Sequence, residues 1–81
     1  MQIKPLEWTY IGSIHCLWTG KTDFLLGELY FFIDPIPDEP DKVFLRTEIN
    51  GIPNVTCTNI AAAKIKAQQI LDNYSISLVL P

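Results

Sequence analysis

Between residues 7 and 18 the chain alternates loosely. Trp8, Tyr10, Ile14, Cys16 and Trp18 share one parity, and Glu7, Thr9, Ser13 and His15 share the other. A period of two in aromatic and β-branched residues predicts a strand over 7–18. Gly12-Ser13 in its middle marks a bulge or a break into two shorter strands. Gly20-Lys21-Thr22-Asp23 has the composition of a turn. The most apolar segment comes next, at 24–33, with Leu25, Leu29, Phe31 and Ile33 on one face and Leu26, Glu28, Tyr30 and Phe32 on the other. Apolar residues on both faces predict the central strand of a sheet.

Three prolines, Pro35, Pro37 and Pro40, then exclude strand or helix interior over 34–41, because each removes a backbone donor and fixes φ. A stiff surface connection carrying Asp34, Asp38, Glu39 and Asp41 is expected there. Alternation resumes over 42–50, with Val43, Leu45, Thr47 and Ile49 set against Phe44, Arg46, Glu48 and Asn50. Asn50-Gly51 ends this third strand in a turn. Thr58 or Asn59 is the expected N-cap of a helix over 59–74. Its apolar stripe is Ile60, Ala63, Ala67, Ile70, Leu71 and Tyr74, with Lys66, Gln69 and Asn73 opposite. Residues 76–80 are apolar and β-prone, and an edge strand is the expected use for them. The fold class is α+β: an antiparallel sheet of three strands, or four with the last, and one C-terminal helix packed on one face, as a single domain over 1–81.

Length and composition narrow the functions. Eighty-one residues hold one small domain and leave no room for a deep cleft between lobes. A hydrophobic fraction of 48% with 19% charged residues excludes disorder. Nine acidic against six basic residues give a net charge of -3, and Lys4, Lys21, Lys42, Arg46, Lys64 and Lys66 are scattered, which argues against nucleic acid as a partner. No apolar run reaches membrane-spanning length, and Met-Gln-Ile-Lys-Pro-Leu-Glu-Trp does not read as a signal peptide. A cytoplasmic protein is expected, with Cys16 and Cys57 as small apolar side chains rather than a disulfide.

Candidate chemistry is sparse. His15 is the only histidine, and on a strand it faces away from Cys16, so the two cannot pair for nucleophilic catalysis. The carboxylates of 34–41 lack the glycine and regular spacing of a calcium loop. No zinc spacing, phosphate-binding loop or nucleophile elbow occurs. The expectation is a protein that is not an enzyme, with no catalytic residue, metal or cofactor.

A surplus of aromatic surface carries more information. One helix covers one face of a sheet. If that face holds Leu25, Leu29, Phe31, Ile33, Val43, Leu45 and Ile49, the opposite face presents Tyr30, Phe32, Phe44 and Arg46 with Glu28 and Glu48. Aromatics with an arginine among them is the composition of interface centres. Trp8, Tyr10 or Trp18 extends the patch if the first strand pairs in the right register. A terminal segment folded across the patch, a homodimer seam and a foreign partner all remain open.

Leu6-Glu7-Trp8, then Gly27-Glu28-Leu29-Tyr30-Phe31-Phe32-Ile33, then Ala62-Ala63-Lys64 and Ala67-Gln68 form a pattern over most of the chain. It resembles small phage- and prophage-encoded β-β-β-α proteins of unassigned function. That resemblance implies a protein that binds or inhibits a host protein, and it brings no catalytic residue with it. The expected contact residues are Tyr30, Phe32, Phe44 and Arg46 on the free sheet face, and Asp38, Glu39 and Asp41 in the acidic loop, facing a basic host protein. Self-association as a homodimer is expected as well. The alternative is a sheet-based nucleic-acid-binding module, for which Arg46 is the one cation expected on the free face.

Overall fold

A glycine at position 12 and the lack of any helix breaker between Asn59 and Pro81 decide much of the architecture. The computed structural model describes residues 4–24 and 27–79. Its elements are β1 (Glu7–Tyr10), β2 (Trp18–Phe24), β3 (Gly27–Pro35), β4 (Val43–Thr47), β5 (Val55–Cys57) and α1 (Ile60–Val79). The strands form one antiparallel sheet in the order β1-β2-β3-β4-β5, and the single helix comes after them. This is the α+β class expected from the sequence.

The boundaries differ from expectation in four places, the first being that β3 runs on through Asp34 and Pro35, which pair with Phe44 and Val43 where strand interior was not expected. Of the alternatives at Gly12-Ser13 the structure takes the break: the segment 7–18 splits into β1, a loop over 11–17 and the start of β2. Gly12 takes a φ of 71°, a conformation that suits glycine. The loop closes through Ile11 N–H donating to Leu17 O at 2.7 Å and Ser13 N–H to Cys16 O at 2.9 Å. Gly20-Lys21-Thr22-Asp23 is interior to β2 rather than a turn. Gly20 is there because the Trp8 ring, across the strand pair, occupies the space a side chain would need. Val55-Thr56-Cys57 forms a fifth strand, too short for alternation to reveal. The edge strand expected over 76–80 is overturned, since α1 runs to Val79. Once a helix is nucleated each further residue adds a hydrogen bond, and no Gly or Pro interrupts this one before Pro81. Leu80 lies outside the described residues, as do Leu25 and Leu26.

Asn59 caps α1: its Oδ1 accepts from Ala62 N–H at 2.7 Å. The buried core takes Phe31, Ile33, Val43, Leu45 and Cys57 from the strands and Ile49 from the β4–β5 connection. Ala63, Ala67 and Leu71 of the helix and Leu6 complete it. Two small residues one turn apart, Ala63 and Ala67, are fully buried, so the helix backbone comes close to the sheet. The segment before β1 is tied down by Leu6 N–H donating to Gln68 Oε1 at 3.1 Å and by Thr22 Oγ1 donating to Lys4 O at 2.6 Å.

Candidate interaction surface

Register decides which side chains share the face that α1 leaves uncovered. Phe32 stands opposite Thr19 and Arg46, Tyr30 opposite Lys21, and Asp34 opposite Phe44. Strand alternation therefore brings Lys21, Tyr30, Phe32, Asp34, Phe44 and Arg46 onto the helix-free face. The expected group Tyr30, Phe32, Phe44 and Arg46 does lie together.

At the centre of the face, the Tyr30 and Phe32 rings stack with centroids 6.2 Å apart and planes 11° from parallel. The Arg46 guanidinium continues the stack, with Cζ 4.3 Å from the Phe32 centroid. Asp34 holds it there: Arg46 Nε donates to Oδ2 at 2.8 Å and Nη2 to Oδ1 at 3.3 Å. The fork is bidentate, and Asp34 retains only 15% of its side-chain exposure. The hydrogen bonds to Asp34 push the Arg46 pKa up, against the pull of burial, and fix its charge. Nearer the start of β3 Lys21 pairs with Glu28 at 2.6 Å. The Lys21 amine is pushed up by that hydrogen bond and the Glu28 carboxyl down by it.

Three placements correct the sequence reading. Arg46 is not the sole cation of the face, because Gly20-Lys21-Thr22-Asp23 being strand brings Lys21 there too. Both cations are paired with carboxylates of this chain, Arg46 with Asp34 and Lys21 with Glu28. Trp8 and Trp18 do not extend the patch but lie on the helix side, beneath Lys64, whose Nζ is 3.6 Å from the Trp18 centroid and 5.8 Å from that of Trp8. Trp18 Nε1 is buried there with no hydrogen-bond partner among the described residues. Because the 11–17 loop breaks the alternation, Cys16 parts company with Trp18: its thiol sits beside Asp34 and donates to Trp18 O at 3.3 Å. Burial, then the Asp34 carboxylate, push this thiol up.

Asp34 is the residue that sequence reasoning missed for the face, having assigned it to the acidic connection. The signal was present, since Asp34 continues the parity of Tyr30 and Phe32 by one more step, and Pro35 obscured it. The rest of that connection stays apart. Asp38, Glu39 and Asp41 are exposed in consecutive turns, with Glu39 N–H donating to Ile36 O at 3.1 Å and Lys42 Nζ 3.4 Å from Glu39. Among the described residues no three His, Cys, Asp or Glu side chains are grouped to hold a metal ion, and no helix is long and apolar enough to cross a membrane. His15 is exposed, and its backbone N–H donates to Ser13 Oγ at 3.1 Å.

No family model, curated protein or solved structure matches this chain.

Proposed function

We propose that the protein is a non-enzymatic interaction module whose contact surface is the helix-free face of its sheet, and that a second copy of the chain occupies that face. The observation that carries this reading is the Tyr30–Phe32–Arg46 stack, held by Asp34 and left partly exposed by the fold. Its centre is neutral, because Arg46 and Asp34 cancel. A neutral aromatic centre suits an isologous contact, in which the same patch meets itself. Against catalysis stand the lone exposed His15 and a Cys16 thiol whose raised pKa keeps it protonated and weakly nucleophilic. The compartment that goes with this reading is the cytoplasm, where thiols such as Cys16 and Cys57 stay reduced. The exposed carboxylates of Asp38, Glu39 and Asp41 provide a second, acidic contact for a basic partner, which is a host protein if the resemblance to phage-encoded proteins holds.

The test is molar mass by light scattering behind size exclusion, over a wide concentration range, for the wild type and for Phe32→Asp. A wild-type dimer and a folded monomeric variant support the reading. A wild type that stays monomeric throughout removes the second copy as occupant.

A further inference from the structure

The two edges of the sheet are protected very differently. At the β1 edge the chain places Glu7, and Lys4 lies 3.9 Å from Asp23 beside it, the kind of charge that discourages further strand pairing. At the other edge β5 reads Val55-Thr56-Cys57, and the run from Gly51 to Cys57 carries no charge at all. One side of β5 pairs with β4, and no strand lies on its other side among the described residues. Beside it, on the helix side of the sheet, is an apolar groove of about 420 Å³. Ile52, Pro53 and Val55 form one wall, and Ile70 and Tyr74 of α1 form much of the other. Among the described residues, Lys66 is the only charged one in the lining. Its amine is exposed and has no ion-pair partner among the described residues, in a chain of net charge -3.

We infer that β5 and this groove bind an extended peptide segment, added to the sheet as a sixth strand, that carries an apolar side chain and a carboxylate two residues apart. Strand addition fits an edge with open backbone groups next to a pocket, because the backbone supplies affinity and the pocket reads alternate side chains. Residues two apart on a strand share a face, so one side chain enters the groove between Val55 and Ile70 while the other reaches Lys66. Pro53 has no N–H to offer and keeps the pairing short. The site lies on the opposite side of the sheet from the Tyr30–Phe32–Arg46 stack and stands or falls independently of it.

Blocked hexapeptides Thr-Thr-X-Thr-Glu-Thr and Thr-Glu-Thr-X-Thr-Thr, with X as Val, Ile, Leu or Phe, are titrated into the full-length protein and followed by amide chemical shifts. At least one is expected to shift Val55, Thr56 and Cys57 together with Lys66 and Ile70. Replacing its Glu by Lys should weaken binding about fivefold, the worth of an exposed ion pair, and Lys66→Glu should reverse that preference. N-methylation at alternate peptide positions should abolish binding in one register and spare it in the other. The inference is overturned if no peptide shifts β5, or if the shifts fall on Tyr30 and Phe32 instead. It is also overturned if β5 shifts with protein concentration alone, which would make a second copy the occupant.

Discussion

Phe31 and Phe32 are neighbours of identical chemistry with opposite fates. Phe31 is fully buried beneath α1, among Ile33, Leu45, Ala67 and Leu71, and Phe32 is partly exposed on the other face under a guanidinium. The difference shows two ways of covering an aromatic ring. The helix side uses close apolar packing, made possible by Ala63 and Ala67. The open side uses a planar cation held by Asp34, which covers the ring while keeping a polar rim in water. A face built the second way contributes less to folding and leaves more surface to a partner.

The sharpest way to break that comparison is to truncate each ring in turn. Phe31→Ala should lose about 3–5 kcal/mol in urea denaturation, through lost burial and the cavity left behind. Phe32→Ala should lose about 1 kcal/mol, the scale of a partly exposed cation–π contact, and should abolish the proposed self-association. Equal losses from the two would mean that the open face is structural rather than a contact surface. A loss between those two is expected from a second site on the helix side. A Cβ at Gly20 would lie 2.8 Å from the Trp8 ring, so Gly20→Ala must displace that ring. We expect about 1–3 kcal/mol of destabilisation and a shifted tryptophan emission. Gly27, whose Cβ position is open, should accept Ala at no cost. Asn59→Ala should remove the cap of α1 and cost about 1 kcal/mol, read by the same denaturation.

How much of the fold was legible in the sequence depends on range. The faces of β3 and β4 and the stripe of α1 obey local periodicity, and Phe31, Ile33, Leu45, Ala63, Ala67 and Leu71 are buried as that periodicity requires. The failures are those where a distant residue decides. Gly20 has turn composition but is strand, because Trp8 lies over it across the hairpin. Three residues of β5 carry no period, and pairing with β4 alone makes them a strand. Residues 75–79 favour strand by type, yet continue a helix already begun. For the candidate surface, Tyr30, Phe32, Phe44 and Arg46 were legible as a group. The Asp34 fork was not, because it joins residues from two strands and depends on register. Nothing in the pattern of residues pointed to the β5 groove, which exists only once β5 and α1 are both in place.

The smallest expected effect contrasts two thiols, one beside each side of the sheet. Burial pushes both Cys16 and Cys57 up; the Asp34 carboxylate adds to this at Cys16, and Arg46 opposes it there as Lys66 does at Cys57. Folding therefore keeps both thiols protonated to higher pH than in the unfolded chain. The stability this contributes is complete below the unfolded thiol pKa and is lost as pH rises through the raised folded values. At a fixed, mildly alkaline pH, Asp34→Asn should speed iodoacetamide alkylation of Cys16 relative to Cys57, by removing a negative charge that disfavours the thiolate. Arg46→Ala should do the reverse and slow Cys16, because it removes the opposing positive charge. Peptide mapping of the alkylated chain reads both rates in one sample. Opposite signs from the two substitutions tie the Cys16 thiol to the Asp34–Arg46 pair. If both substitutions speed Cys16, they act by loosening the open face, and the electrostatic account of that thiol is wrong.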